Sequence, residues 1–365
     1  MSRQNLFLIL LGFIYYFFFI NKGIVLYDEG YYFHIADRIL QGEIPYKDFF
    51  LQFSPGYFYL LAFSLKIFGE QIVVGRLLTL FICLCILFLT LKISEKLGFS
   101  RLHQKFLVFA AVVSFGFPLI NNPSTLAWII VFASLLLVYS YIIWFKNQNT
   151  KHLLLLGLFL GLCLAIKQNL GLYFFVATNI FVFLSSKGKF SSKTRSLLIV
   201  NLPVLFISSL WISYFFLIQS DINRFFELVT FNSRYLSIYP FSYPSLTFLL
   251  APDGIFKLLP YYLPIVFSFI LIKEFLNKKK NMNILYFSTI SLIGFFGTLF
   301  PTSDLLHVYP FFGMFLVSSL LFFYKNKIFR YWRILVLILI ATGFYLTLFR
   351  EYYRYQPQYR YQKIK

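Results

Sequence analysis

Residues 6–28 read LFLILLGFIYYFFFINKGIVLYD, and their reading decides the fold. Residues 6–20 carry no charge, and Lys22 is the sole base between them and Asp28. A bilayer is crossed by about 20 mostly apolar residues in a helix, so this stretch reads as a membrane span. No small-residue cleavage pattern follows it, so it reads as a retained helix and not a secretory leader. Two adjacent carboxylates, Asp28 and Glu29, then stand where the chain would leave the lipid. Acids are scarce here, 13 Asp and Glu in 365 residues. Ionisable groups held at a membrane surface point to function.

The rest of the chain repeats this pattern. It is 59% hydrophobic, 22% aromatic and 13% charged, against about 25% charged for soluble domains. Apolar runs of spanning length lie at 5–26, 69–91, 106–120, 124–145, 152–166, 169–185, 197–219, 260–276, 283–300, 308–324 and 332–349. The expected fold is an all-α polytopic membrane protein of about eleven spans. Cys83, Cys85 and Cys163 all lie inside apolar runs, a placement that excludes a disulfide framework or zinc pattern.

Formal charge is +20. The bases sit between spans, so they read as an orientation signal and exclude nucleic acid as the partner. With the N-terminus cytoplasmic, the inner side holds 19 of the 33 bases and two acids, Glu95 and Glu274. The outer side holds 14 bases and 11 acids. The short loops thus follow the positive-inside rule. The inner loops, such as KNQNTK at 146–151, are basic and otherwise featureless. The outer ones carry the chemistry: 27–70, 220–259, NNPS at 121–124, KQN at 167–169 and PTSDLLH at 301–307.

In the first outer loop, DEGYYFHIADRILQ at 28–41 puts Tyr31, Ile35 and Ile39, with Tyr32 and Ala36, at helical spacing. This predicts an amphipathic helix lying along the interface. GEIPYKDFF at 42–50 predicts a turn and an extended piece, since Pro45 disfavours helix for Ile44. LQFSPGYFYLLAFSLKIFG at 51–69 predicts a second interfacial helix.

Several side chains in these loops could do chemistry. Asp28 and Glu29 either cap the next helix or supply a general base. Asp48 either joins them or structures the loop through Lys47 or Arg38. Lys167 stands alone at the outer end of an apolar run, with Gln168 and Asn169 beside it; it reads either as an interfacial lysine or as an anion contact. Asp304 and His307 are three apart, one helical turn, as a cap with an interfacial histidine or as a site pair. Arg224 and Arg234 are surface charges or further anion contacts, and His34 reads as a loop histidine. No trio of His, Asp or Glu has metal-ligand spacing.

The stretch 27–69, YDEGYYFHIADRILQGEIPYKDFFLQFSPGYFYLLAFSLKIFG, resembles the first outer loop of the GT-C membrane glycosyltransferases. It is most similar to the bacterial branch near protein O-mannosyltransferases and aminoarabinose transferases (families 39 and 83). An acidic pair follows the first span; then come an amphipathic helix, a G-x-x-P-Y-x-D turn and a Pro-Gly before the next helix. GRLLTLF at 75–81 resembles the family's second-span opening. LGLCLAIKQNLGLYFF at 160–175 contains a match to its Lys-x-Asn/Gln-x-Gly outer turn. FPTSDLLHVYPFF at 300–312 is similar to its Pro-x-x-Asp-x-x-His turn.

This resemblance implies that residues 1–349 form a GT-C type transferase domain with its site on the non-cytoplasmic face of a bacterial inner membrane. The donor would be a sugar on a polyprenyl phosphate lipid. The acceptor would be a hydroxyl of a glycolipid, glycan or protein. Asp28 would be the base, with Glu29 and Asp48 in the same acidic loop. Lys167, Gln168, Asn169, Asp304 and His307, with Arg224 and Arg234, would face the phosphate. No cofactor is required, and members differ in using a divalent cation, so the metal stays open. Many relatives carry a soluble outer domain; here residues 350–365 read as a short basic, aromatic outer tail. The rival class is a lipid-linked saccharide flippase or other transporter, which would place its polar groups at mid-membrane.

Overall fold

The computed structural model describes residues 3–20, 28–51, 53–121, 126–218, 243, 245–247, 254–276, 281–299 and 305–325. At 3–5, 18–19, 28, 113–121, 254–257, 305–309 and 325 it describes the backbone alone. Among these residues the chain forms twelve α-helices, and its single β-bridge joins Pro45 to Phe49. They are α1 (Arg3–Phe19), α2 (Asp28–Leu40), α3 (Gly56–Phe68), α4 (Ile72–Lys96), α5 (Arg101–Asn121) and α6 (Leu126–Asn147). After them come α7 (Thr150–Ile166), α8 (Gln168–Ser185), α9 (Phe190–Leu217), α10 (Gly254–Leu276), α11 (Met282–Thr298) and α12 (Leu305–Lys325).

A helix stands at each of the first ten apolar runs, and 332–349 lies outside the described residues. Ile72–Lys96, Leu126–Asn147, Gln168–Ser185, Phe190–Leu217 and Leu258–Leu276 are long and apolar enough to cross a membrane. Others, including Thr150–Ile166 and Met282–Thr298, are apolar but shorter. The architecture is consistent with a multi-pass helical membrane protein.

The helix α6 is apolar on all sides, as a helix surrounded by others must be. It packs against α4, α7, α11 and α12, and its Trp128, Tyr141 and Trp144 are fully buried. On one flank α1, α4 and α5 pack together, and α5 continues onto α12. On the other, α7 is sandwiched between α6 and α9. Its close fit to α9 rests on two glycines four apart. A Cβ on Gly157 would stand 2.1 Å from the Val200 carbonyl oxygen, and one on Gly161 2.6 Å from Ile207 Cδ1. Small residues spaced this way let helix backbones approach in lipid. Away from α7, α9 turns large apolar side chains outward, among them Phe206 at 62% and Leu217 at 82% exposure. So broad an apolar exterior suits contact with hydrocarbon.

The helix ends sort into two groups. At one end Arg76, near the start of α4, reaches the carbonyl of Ile20 just past α1. There Leu126 at the start of α6 joins Phe215 and Ile218 at the end of α9 in one cluster. At the other end the Tyr141 and Ser185 hydroxyls are 2.6 Å apart, and the His103 ring of α5 meets the Tyr324 ring of α12 at a tilt, 4.1 Å between centroids. The basic residues Lys146, Lys151, Lys187, Lys189 and Lys193 belong to this second end, at the start or finish of α6, α7, α8 and α9. The first end carries the loop of α2 and α3.

Candidate functional site

The first loop forms an apolar cluster distinct from the main core, shared with Val74 of α4, Leu126 of α6 and Phe215 and Ile218 at the end of α9. Tyr32, Ile35 and Ala36 form the buried face of α2. They pack with Tyr57, Phe58, Leu61 and Leu65 of α3, the i, i+3, i+4 pattern of an amphipathic helix. The Tyr32 ring meets Tyr57 and Phe58 edge-on at 5.8 and 5.6 Å. Between the helices Tyr46 holds a left-handed φ of 70°, and the chain closes a tight turn there. Its ring packs on Phe215 of α9 at 5.1 Å, and its hydroxyl donates to the Phe53 carbonyl. The loop is thereby fastened to the end of α9, where Tyr214 also donates to the Pro45 carbonyl at 3.3 Å.

The polar residues of this loop divide by task. Asp48 is exposed, and its Oδ2 accepts from the Ile44 N–H at 2.7 Å. It structures the turn through the backbone. Arg38, offered above as its partner, instead pairs with Glu43 and lies over the Phe49 ring at 4.2 Å.

Glu29 is 1% exposed and Arg76 4% exposed. Arg76 Nε donates to Glu29 Oε1 and Nη2 to Oε2, each at 2.7 Å. Its remaining nitrogen, Nη1, donates to the Ile20 carbonyl at 2.8 Å. The flat guanidinium fork suits a carboxylate held bidentately. Beside it, Gly75 lets α2 come close: a Cβ there would lie 2.5 Å from Phe33 Cζ and 3.0 Å from Leu61 Cδ1. Burial first, then the nearby Glu29 carboxylate, push the Tyr57 phenol up, so it keeps its proton. Both carboxylate oxygens of Glu29 are thus engaged by Arg76.

Arg76 is passed over in the sequence reading, although a signal was present. A lone arginine inside the apolar run IVVGRLLTLF demands a buried partner, and Glu29 was one of few acids able to reach it.

Asp28 is the first residue of α2; its side chain lies outside the described residues, as does that of His307 in the first turn of α12. Asp304, Arg224 and Arg234 lie outside them altogether.

Lys167 is the single non-helical residue between α7 and α8. Its N–H closes α7 on the Cys163 carbonyl at 3.0 Å, and its carbonyl opens α8 by accepting from Gly171 at 2.9 Å. Gly171 makes so tight a hairpin workable, since a Cβ there would lie 2.4 Å from Leu164 Cα. Among the described residues the half-buried Lys167 ammonium has no carboxylate partner. Burial pushes it down, to about 8. It stands at the N-terminus of an 18-residue helix, where backbone N–H groups also favour an anion.

The first loop reaches this turn. Ser54 Oγ donates to Gln168 Oε1 at 3.0 Å, and a Cβ on Gly56 would lie 3.9 Å from the Ala165 carbonyl oxygen. Asn169 turns the other way: its Oδ1 accepts from the Leu170 N–H at 2.9 Å. It also lines a cavity of about 760 Å³ between α8 and α11, with Tyr173, Ile180, Thr289 and Phe296. The structure therefore unites the first loop with Lys167 and Gln168 at one end of the bundle. Among the described residues no group of three or more His, Cys, Asp or Glu could hold a metal ion. Compared with protein-family models and with curated proteins, the chain matches none.

Proposed function

We propose that the chain is an integral membrane glycosyltransferase of GT-C type. It crosses the membrane about eleven times with its N-terminus inside, and works at the outer face on a sugar carried by a polyprenyl phosphate. The observation that carries this reading is the Ser54–Gln168 hydrogen bond at 3.0 Å. It joins an acidic first loop to a half-buried lysine at a helix N-terminus. A transferase needs both parts together, a base for the acceptor and a cation for the leaving phosphate.

The steps follow from those parts. The Asp28 carboxylate accepts the proton of the acceptor hydroxyl while that oxygen bonds to the anomeric carbon. The bond from that carbon to the phosphate oxygen breaks, and its electron pair leaves with the phosphate. Lys167 and the first turn of α8 stabilise the charge that develops there. Attack opposite the leaving group inverts the anomeric centre. Glu29, engaged with Arg76, serves the position of the loop and not the proton transfer.

The test is sugar transfer by purified protein in lipid, using a panel of radiolabelled polyprenyl-phosphate sugars and crude membrane glycolipids. Transfer by the wild type, reduced at least about 100-fold by Lys167→Met, is the expected result. Protein-dependent movement of lipid-linked sugar between leaflets without transfer would overturn the reading in favour of a flippase.

A further inference from the structure

Arg76 does more than neutralise a buried acid. Three of its donor contacts to described residues fall on both sides of residues 21–27: the Ile20 carbonyl behind α1, and both oxygens of Glu29 in the first turn of α2. One guanidinium therefore fixes where the chain leaves α1 and where it starts α2. Asp28 is the residue directly before Glu29, at the start of that helix. Independently, Gly75 removes the side chain that would keep Phe33 of α2 off α4. The pair Gly75-Arg76 thus docks α2 by shape and by charge at adjacent positions.

We infer that Arg76 is a positioning residue that sets the place of Asp28 through Glu29. The inference rests on the proposed transferase reading for its catalytic consequence, but its geometric content stands without it. A rival view makes the pair mere ballast for the fold. Charge alone would then suffice, and lysine would replace arginine with little loss. A positioning role needs the fork, because a lysine ammonium is a point charge that cannot grip both carboxylate oxygens and Ile20 together.

Two readouts test this. The first needs no activity: an Asp28→Cys protein is labelled with a membrane-impermeant maleimide, with and without Arg76→Lys, subtracting the rate of the native cysteines. Loosening the start of α2 should raise the labelling rate at least about fivefold. Glu29→Gln, which keeps the side chain's shape, should raise it in the same direction and serves if Arg76→Lys expresses poorly. Rates within twofold of the parent in both variants would overturn the inference. The second readout is transfer with Asp28 intact. Arg76→Lys should lower kcat about tenfold or more and leave KM within a factor of two, whereas an unchanged kcat would overturn the positioning role. If the wild type itself transfers nothing, the transferase reading fails, and the labelling rates alone still decide whether Arg76 holds this residue in place.

Discussion

The ammonium of Lys167 offers a quantitative check on the anion site. Burial holds it down at about 8, so in the empty site it is protonated below that pH and neutral above it. Only the protonated form attracts phosphate. Affinity for an anionic headgroup should therefore be full near pH 7 and fall as pH rises through 8. At pH 7 about nine-tenths of the sites carry the charge, and at pH 9 about one-tenth do. The expected loss is thus about tenfold, or about 1.4 kcal/mol. A phosphate monoester loses its second proton near pH 6, so the ligand itself stays dianionic across the range. The assay is calorimetric titration of a short-chain isoprenyl phosphate into protein in detergent at pH 7, 8 and 9. Lys167→Met should bind weakly and with no slope in this range. Wild-type affinity that stays flat or rises with pH, or a Lys167→Met slope equal to the wild type's, would refute the assignment.

Further outcomes follow from the same geometry. Arg76→Met leaves Glu29 charged and alone in the interior, which should cost about 3–5 kcal/mol, while Arg76→Met with Glu29→Leu should recover most of it; thermal unfolding in detergent measures both. Gly157→Leu drives a side chain into the Val200 carbonyl of α9 and should lower stability by about 1–3 kcal/mol. An equal substitution at Gly30, where nothing lies within 4 Å of a Cβ, is the comparison that should cost much less. Asp48→Asn keeps an acceptor for the Ile44 N–H and should retain transfer within about threefold. A loss of 100-fold with normal melting would instead make Asp48 part of the reacting machinery.

How legible this was in the sequence depended on the kind of contact. Helices such as α4 and α6 announce themselves as long apolar runs, because the backbone has no other way to satisfy itself in lipid. The amphipathic face of α2 was equally plain, since Tyr32, Ile35 and Ala36 recur at helical spacing and all three are buried. The helix α3 begins only at Gly56, after Pro55. Long-range polar choices were harder. Spacing along the chain says nothing of a pairing between Glu29 and Arg76, 47 positions apart, or between Ser54 and Gln168, 114 positions apart. Asp48 shows the opposite difficulty. The bases near it in the sequence suggest an ion pair, and the contact that closes the turn is with a backbone N–H four residues back. Gly157, Gly161 and Gly171 were visible as letters, but their purpose appears only with the neighbouring backbone in place.

The most direct test of the central claim is a comparison of wild type with Asp28→Asn in lipid, following release of polyprenyl phosphate and gain of sugar by the acceptor. The amide keeps the size and hydrogen-bonding reach of the side chain but cannot take the acceptor's proton. The account predicts that the substituted protein expresses and melts like the wild type and loses transfer by at least about a thousandfold. Turnover by Asp28→Asn at the wild-type rate would contradict it and remove Asp28 as the base.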